Sequence, residues 1–261
     1  MQIPDRFDFE FEDRVEPVVT FMICSQPRSG SSLLCELLAN TLHAGMPAEY
    51  LRPDRVAMLK RRWGVETLDE YLGELVARKT SPNGVFGLKA HWGQYAAIQS
   101  DPEQASVFAG RLAGLRFIHV RREDHLRQAV SLVRALQTSS WSTVTGPETA
   151  PAVFDRDDIA RKMKRVREEE AAWVEFFDES GIASRGVAYE ELANAPEQTA
   201  RGVLDFLGVE LPAGFTFDPP VMERQADELS EEWVARYLAE TAPADLTWRS
   251  RRRGSRGSPS P

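Results

Sequence analysis

Cysteine and histidine are scarce in this chain, which has two cysteines and four histidines among 261 residues. Cys24 and Cys35 are far apart in the sequence and do not form the CxxC spacing of a zinc site. Both lie in apolar segments, which predicts two buried free thiols in a reducing compartment.

The chain also lacks a basic excess and long apolar runs. Its formal net charge of -8 argues against general nucleic-acid binding, which needs a basic surface that neutralises many phosphates. No apolar run approaches the ~20 residues of a membrane-spanning helix. The acidic start, MQIPDRFDFEFEDRVEP, has no basic region followed by an apolar one. We therefore expect a cytoplasmic protein without stable membrane insertion.

Short β-branched and aromatic runs alternate with segments of helical period, in a chain with 42% hydrophobic residues. Strands are predicted over residues 18–24, 85–92, 115–121 and 185–189. Helices are predicted to begin at Ser31 and shortly after residue 121, and to span residues 67–79, 157–177 and 196–207. Residues 45–65, with two prolines in GMPAEYLRP, are predicted to be irregular. This alternation predicts an α/β fold: a single domain, residues 1–247, with a central parallel sheet flanked by helices. Residues 248–261 are predicted to be a disordered basic tail.

The loop SQPRSGSS, residues 25–32, joins the first strand to the first helix. It combines small residues, hydroxyls and one cation at a helix N-terminus, where free NH groups and the helix dipole attract anions. A phosphate or sulfate site is one interpretation, and the other is that Ser29 or Ser31 simply caps the helix.

The same loop differs from a nucleoside-triphosphate loop of the form GxxxxGK[ST]. No lysine follows Gly30, and the strands that follow end in Lys89 and Arg121 rather than in an aspartate for magnesium. This favours metal-free binding of an anionic donor. A small-molecule kinase with a degenerate phosphate loop stays open as an alternative, as does a non-catalytic nucleotide-binding protein.

Five motifs occur in order along the chain: SQPRSGSSLLCELL, AGMPAEYL, SPNGVFGLKAHW, HVRREDHLRQAVSLVRALQTSSW and PPVMERQADELSEEWVARY. Together they resemble the bacterial trehalose 2-sulfotransferase-like family of 3′-phosphoadenylyl-sulfate-dependent sulfotransferases, up to about residue 238. The resemblance implies a P-loop-like sulfotransferase fold and a possible homodimer. It also implies metal-free transfer of a sulfuryl group from 3′-phosphoadenylyl sulfate to a hydroxyl of a small acceptor, such as trehalose or a glycolipid.

The resemblance assigns a donor site and an acceptor site. In the donor site, the phosphosulfate would be bound by the loop residues Arg28, Ser29, Gly30, Ser31 and Ser32. The 3′-phosphate would be held by Arg122 and Ser131. The adenosine would be covered by a closing segment that contains Arg224 and Gln225. Arg28 would stabilise charge on the leaving phosphate oxygen.

On the acceptor side, Glu49 matches the general base, with His91 as a rival base, and Lys89 would neutralise the sulfuryl oxygens. Trp92 and Arg134 are predicted to contact the acceptor, and His119 is predicted to be a packed strand residue. Trehalose-specific members have an acidic residue where this chain has Met46, which argues against trehalose as the acceptor.

Overall fold

The fold is described by a computed structural model over residues 6–141, 151–220 and 228–241. Within these residues, four strands form one parallel sheet in the spatial order β2-β1-β3-β4. Their bounds are β1 Val19–Ser25, β2 Val85–His91, β3 Arg116–Arg121 and β4 Ser184–Ala188. The predicted α/β class with a central parallel sheet is confirmed.

Helices connect the strands and cover the sheet. In chain order, they are α1 Ser31–Ala39, α2 Pro53–Trp63, α3 Leu68–Lys79, α4 Trp92–Gln99, α5 Pro102–Arg111, α6 His125–Thr138, α7 Arg156–Ser180, α8 Tyr189–Asn194, α9 Pro196–Leu207 and α10 Glu228–Thr241. The sequence patterns did not predict α4 and α5, two short helices between β2 and β3.

Helix α2 corrects the expectation that residues 45–65 are irregular. Pro53 occupies the first turn, where a proline costs no hydrogen bond and its fixed φ suits a helix. The helix ends at Gly64, whose φ of 68° allows the left-handed cap that follows Trp63. Two residues that usually interrupt regular structure therefore mark the two ends of a helix.

Both faces of the sheet are buried along β1 and β2 and in the middle of β3, whereas the edge strand β4 is largely exposed. Along β1, Met22 and Cys24 contribute to the core on one face, while Phe21 and Ile23 contribute to the core on the other. Cys24 and Cys35 are both buried free thiols, as predicted, and burial raises the pKa of each thiol.

Trp173, in α7, is the largest fully buried side chain. Its ring stacks on Tyr95 at a centroid distance of 5.2 Å and meets Trp92 edge-on at 5.0 Å. Its indole NH donates to the carbonyl of Ser25, the last residue of β1, at 3.3 Å. Trp173 thus ties α7 to the end of the sheet where the chain leaves β1.

The carboxyl ends of all four strands lie at one edge of the sheet because the strands are parallel. The chain leaves β1 toward β2 on one side, and β3 pairs with β1 on the other, so the loop after β1 lies at the point where the strand order diverges. Ligands bind at this point in open α/β sheets.

In the described part of the chain, no helix is long and apolar enough to cross a membrane. The predicted tail, residues 248–261, lies outside the described residues, so the domain boundary at 247 stays a prediction.

Trp173→Ala should lower the free energy of unfolding by about 3–5 kcal/mol, because it removes a large buried ring and leaves a cavity. Urea unfolding measures the change. The neighbouring Val174, which is 41% exposed, is the matched control, and Val174→Ala should cost no more than about 0.5 kcal/mol. Equal effects of the two substitutions would contradict this account of the core.

Candidate active site

The backbone conformation of the loop between β1 and α1 requires a glycine. Gly30 has a φ of 85° and is the N-cap residue of α1. A Cβ atom on Gly30 would lie 2.5 Å from the ring of Tyr189, so both the conformation and the space require glycine. Arg28 also has a positive φ, 64°, which is uncommon for a residue with a side chain.

The polar atoms of this loop fit an anion. Ser29 and Gln26 are fully buried, and the hydroxyl of Ser29 and both amide atoms of Gln26 have no hydrogen-bond partner among the described residues. Buried polar groups are normally paired, and the Ser29 hydroxyl and the Gln26 NH2 group are donors that suit a ligand with acceptor oxygens. The helix cap is Gly30, so the alternative that Ser29 or Ser31 merely caps α1 is wrong.

Arg28 joins the loop to α6. Its Nε donates to the hydroxyl of Ser131 at 2.9 Å, and its Nη1 donates to the carbonyl of Trp141, which is half-exposed at the rim. Burial and the nearby charge of Arg122 lower the pKa of Arg28 to about 10. The guanidinium therefore stays charged at neutral pH and is directed at the same cleft as Ser131.

Two more arginines surround the loop. Arg122 is 8% exposed, its guanidinium lies 4.4 Å from the ring centroid of Tyr189, and its Nη1 donates to the carbonyl of Arg28 at 3.4 Å. Arg134 donates to the hydroxyl of Ser230 in α10 and is close enough for its charge to act on Arg28. Three cations around one loop give a local positive field in an acidic protein.

Glu49 lies on the other side of the cleft, in the segment before α2. Its carboxylate contacts Lys89 Nζ at 2.6 Å and His91 Nε2 at 3.4 Å, and it accepts from the amide of Gln94 at 3.2 Å. Burial alone would raise the pKa of Glu49, but the charge of Lys89 and the hydrogen bond from His91 outweigh it. The pKa of Glu49 is therefore held well below its ordinary range.

Lys89 connects the two sides of the cleft. Its side chain is 4% exposed, and Nζ donates to the hydroxyl of Ser32 at 3.0 Å while it pairs with Glu49. The backbone NH of Lys89 donates to the carbonyl of Ala48 at 2.9 Å, which fixes the segment of Glu49 to β2. One buried cation thus contacts both the anion loop and the carboxylate.

The two histidines predicted from the strands differ in role. His91 Nδ1 lies 3.1 Å from the hydroxyl of Ser25 and 3.2 Å from its carbonyl, and its other ring nitrogen faces Glu49, so the ring holds this carboxylate in place. His119 is 5% exposed in β3 and packs against Phe177, and burial lowers its pKa to about 4. The prediction that His119 is a packed strand residue is confirmed.

Several predicted residues lie elsewhere. Trp92 is half-buried and packs edge-on against Trp173, within the aromatic core. Met46 is fully buried, and the expectation that it disfavours trehalose stays a prediction. Arg224 and Gln225 lie outside the described residues.

Two residues of the cleft lie in strand-end segments where a site was expected, but the sequence assigned them no role. Gln26 belongs to the loop motif, but nothing in the sequence shows that its amide is buried. Tyr189 follows β4 directly, and its position at a strand end was the available signal.

The cleft thus has an arginine-lined anion loop on one side and a buried carboxylate on the other, joined by a lysine. A family model described as Stf0 sulphotransferase matches residues 20–240. The chain belongs to the Stf0 sulphotransferase family. It is therefore a sulfotransferase, which confirms the predicted resemblance and does not favour the kinase or the non-catalytic alternative.

Two curated relatives of this Stf0 sulphotransferase are named trehalose 2-sulfotransferase. The protein of Mycobacterium tuberculosis is 32% identical, in an alignment that covers 84% of this chain and 94% of the relative. The protein of Mycolicibacterium smegmatis is 30% identical, in an alignment that covers 83% of this chain and 93% of the relative. The similarity therefore extends over most of each protein.

The Glu49–Lys89 pair should stabilise the sulfotransferase in a pH-dependent way. Since folding lowers the pKa of Glu49, the stabilisation is present above the ordinary glutamate pKa of about 4.3 and is lost as the pH falls further. Glu49→Gln should lower the free energy of unfolding by roughly 3 kcal/mol at pH 7, by leaving Lys89 without its counter-charge. The difference from the parent should shrink below about pH 4.5.

Urea unfolding between pH 7 and 3.5 measures this difference. Glu103→Gln, at an exposed position, serves as the control and should change stability little at any pH. A Glu49→Gln effect that stays constant down to pH 3.5 would mean that the ionised pair does not stabilise the fold.

Proposed function

We propose that this chain transfers the sulfuryl group of 3′-phosphoadenylyl sulfate to a hydroxyl group of a carbohydrate. The observation that carries the proposal is the contact of Lys89 with both Ser32 and Glu49, which brings an anion loop and a candidate base together across one cation. The names of the two relatives support a sugar acceptor, and trehalose is the first candidate.

In this proposal, the donor lies across the loop and the start of α6. Gly30 and its neighbours Ser29, Ser31 and Ser32 bind the phosphosulfate through hydroxyls and backbone NH groups, and Arg28 stabilises the charge that develops on the leaving phosphate oxygen. Arg122 and Ser131 hold the 3′-phosphate. The residue types fit, because the loop is cationic and the buried Ser29 hydroxyl and Gln26 amide have no hydrogen-bond partner among the described residues.

Arg224 and Gln225 are proposed to cover the adenosine. Trp92 and Arg134 are proposed to contact the acceptor, although the packing of Trp92 against Trp173 leaves it only a partial surface for a sugar.

The chemical step is an in-line displacement at sulfur. The acceptor oxygen forms the new S–O bond, the bond from sulfur to the phosphate oxygen breaks, and adenosine 3′,5′-bisphosphate leaves with the electron pair. Glu49 takes the proton of the acceptor hydroxyl. The residues supply positioning and charge stabilisation, as in phosphoryl transfer.

Lys89 gives a reason for Glu49 to become basic only when a donor is present. While Nζ pairs with Glu49, the lowered pKa makes the carboxylate a weak base. An anionic sulfuryl group beside Ser32 competes for the same Nζ, and each weakening of the Glu49–Lys89 contact raises the affinity of Glu49 for a proton. Donor binding would thereby activate the base.

A cytoplasmic homodimer remains part of the proposal.

Arg122→Ala should weaken binding of adenosine 3′,5′-bisphosphate by about tenfold or more, because a charge-assisted hydrogen bond to phosphate is lost. Arg121→Ala is the matched control, since Arg121 is adjacent in sequence but exposed. It should change the Kd by less than about threefold. Isothermal titration calorimetry measures both. Equal losses, or no binding by the parent protein, would overturn the donor site.

Glu49→Gln should reduce sulfuryl transfer by about a hundredfold or more, the scale expected for a lost general base. Affinity for adenosine 3′,5′-bisphosphate should stay nearly unchanged, because the loop residues remain. Transfer is followed with labelled donor and trehalose, other sugars and glycolipids, and mass spectrometry identifies the product.

His91→Gln separates the rival bases. Loss of turnover in His91→Gln together with near-normal turnover in Glu49→Gln would assign the base to His91. A parallel fall of turnover and nucleotide affinity in Glu49→Gln would make Glu49 a structural residue.

A further inference from the structure

Gln94, in the first turn of α4, contacts the candidate base. Its amide NH2 group donates to Oε2 of Glu49 at 3.2 Å, whereas Lys89 and His91 both face Oε1, at 2.6 Å and 3.4 Å. The two oxygens of the carboxylate therefore have different surroundings. One contacts a cation and a histidine, and the other contacts a neutral amide.

A second hydrogen bond fixes the orientation of the Gln94 amide. The backbone NH of His91 donates to Oε1 of Gln94 at 3.0 Å. A backbone NH only donates and a carboxylate only accepts, so the amide oxygen must face His91 and the amide nitrogen must face Glu49. An exchange of the two amide atoms would break both hydrogen bonds. Gln94 therefore presents a donor to the carboxylate.

Aromatic packing holds the helix that carries Gln94. Tyr95, the next residue, is buried, and its ring stacks on Trp173 at a centroid distance of 5.2 Å. Trp92 meets the same indole edge-on at 5.0 Å. Because these contacts flank Gln94 in the sequence, α4 has little freedom to rotate, and the aromatic core sets the position of the amide.

The hydrogen bonds leave Oε2 as the oxygen of Glu49 that can take a proton. A carboxylate oxygen has two lone-pair sites. Two groups face Oε1, whereas Oε2 has one partner, Gln94, among the described residues. The side chain of Glu49 is 19% exposed, so it is not closed off from the cleft.

We propose that Gln94 is a positioning residue for the base, which holds the carboxylate of Glu49 so that the free lone pair of Oε2 faces the acceptor hydroxyl. The inference rests on the proposed function. The proton of the hydroxyl passes to Oε2 as the new S–O bond forms. Gln94 keeps Oε2 in place when the donor weakens the contact between Lys89 and Glu49.

The experiment separates this role from a structural one. The hydrogen bond from the NH of His91 caps the N-terminus of α4, and a cap alone stabilises a helix. Gln94→Glu keeps that bond, because a glutamate also accepts it, but an ionised glutamate cannot donate to Glu49. Gln94→Leu removes both bonds. If Gln94 only caps α4, Gln94→Leu alone has an effect.

Gln94→Glu should lower kcat by about tenfold or more at neutral pH, because a misplaced base costs at least this much. KM for the acceptor and Kd for adenosine 3′,5′-bisphosphate should stay nearly unchanged, since the residues of the anion loop remain. Gln94→Leu should lower kcat by a similar factor. Gln99→Glu, at the exposed end of the same helix, is the matched control and should leave kcat unchanged.

The pH profile gives a readout that a capping role would not change. Two adjacent carboxylates share a proton, so the pKa of the Glu49 site rises in Gln94→Glu. The rate of this variant should therefore fall as the pH decreases from about 8 to about 5. In the parent, the charge of Lys89 keeps the pKa of Glu49 well below its ordinary range, so Glu49 stays ionised over these pH values.

Other titratable groups act on Glu49. They are Lys89 and His91 of β2, Arg52 at the start of α2 and Cys35 of α1. Lysine and arginine stay charged in this pH range, and burial keeps Cys35 a neutral thiol, whereas a histidine titrates there. The profile is therefore also measured in a His91→Gln background, where the effect of Gln94→Glu should persist.

A kcat and a pH profile of Gln94→Glu equal to those of the parent would overturn the positioning role and leave Gln94 as a helix cap. A parallel loss of kcat and nucleotide affinity would also overturn it, because the defect would then extend to the whole cleft. If Gln94→Glu fails to fold, Gln94→Leu decides by the same comparison: kcat must fall while nucleotide affinity is kept.

Urea unfolding needs no turnover. Repulsion from Glu49 in Gln94→Glu should raise the unfolding equilibrium constant by about tenfold at neutral pH, and the difference from the parent should shrink toward about pH 5 as the two carboxylates take up a proton. A parent without transfer to any sugar would refute the proposed function, while this pH-dependent loss would still support the hold of Gln94 on Glu49. Transfer by the parent, with Gln94→Glu unchanged in kcat and stability, would do the reverse.

Discussion

The site depends on a buried lysine that is shared by two partners. Lys89 is the fifth residue of β2, and its ammonium group is satisfied by Ser32 from α1 and by Glu49 from the segment before α2. A buried charge of this kind is tolerated only when its partners are held in place. The backbone bond from Lys89 to Ala48 and the ring of His91 provide that support. The need to satisfy the buried ammonium group of Lys89 therefore links β2, α1 and the segment before α2.

The topology explains why these parts meet. Since β1 lies between β2 and β3, the loop that leaves β1 has Lys89 and His91 on one side and Arg122 with the start of α6 on the other. Cations from both neighbouring strands therefore face one loop. Trp173 supports the end of β1 through the hydrogen bond from its indole NH to the carbonyl of Ser25. The protein as a whole is acidic, yet this edge of the sheet favours anions.

The sequence predicts β1, β2 and β3 well because each contains a short apolar run, and the period changes at once at Ser31. It fails at α2, where Pro53 suggests a break but begins a helix. Loop composition alone left the loop after β1 open between an anion site and a helix cap, and the motifs of the whole chain favoured the anion site. The Lys89–Glu49 contact depends on the path of residues 45–50 across β2, which no local pattern contains. The burial of Met46 was missed for the same reason: a motif position does not tell which way its side chain faces.

The left-handed backbone conformation of Arg28 lowers the stability of the loop but positions a side chain that the proposed activity needs. A side chain in this conformation costs roughly 1 kcal/mol, which glycine would avoid. Replacing Arg28 by glycine would relieve this strain, but it would also remove the guanidinium that contacts Ser131. The loop therefore tolerates backbone strain at Arg28 in order to keep a fixed positive charge beside α6.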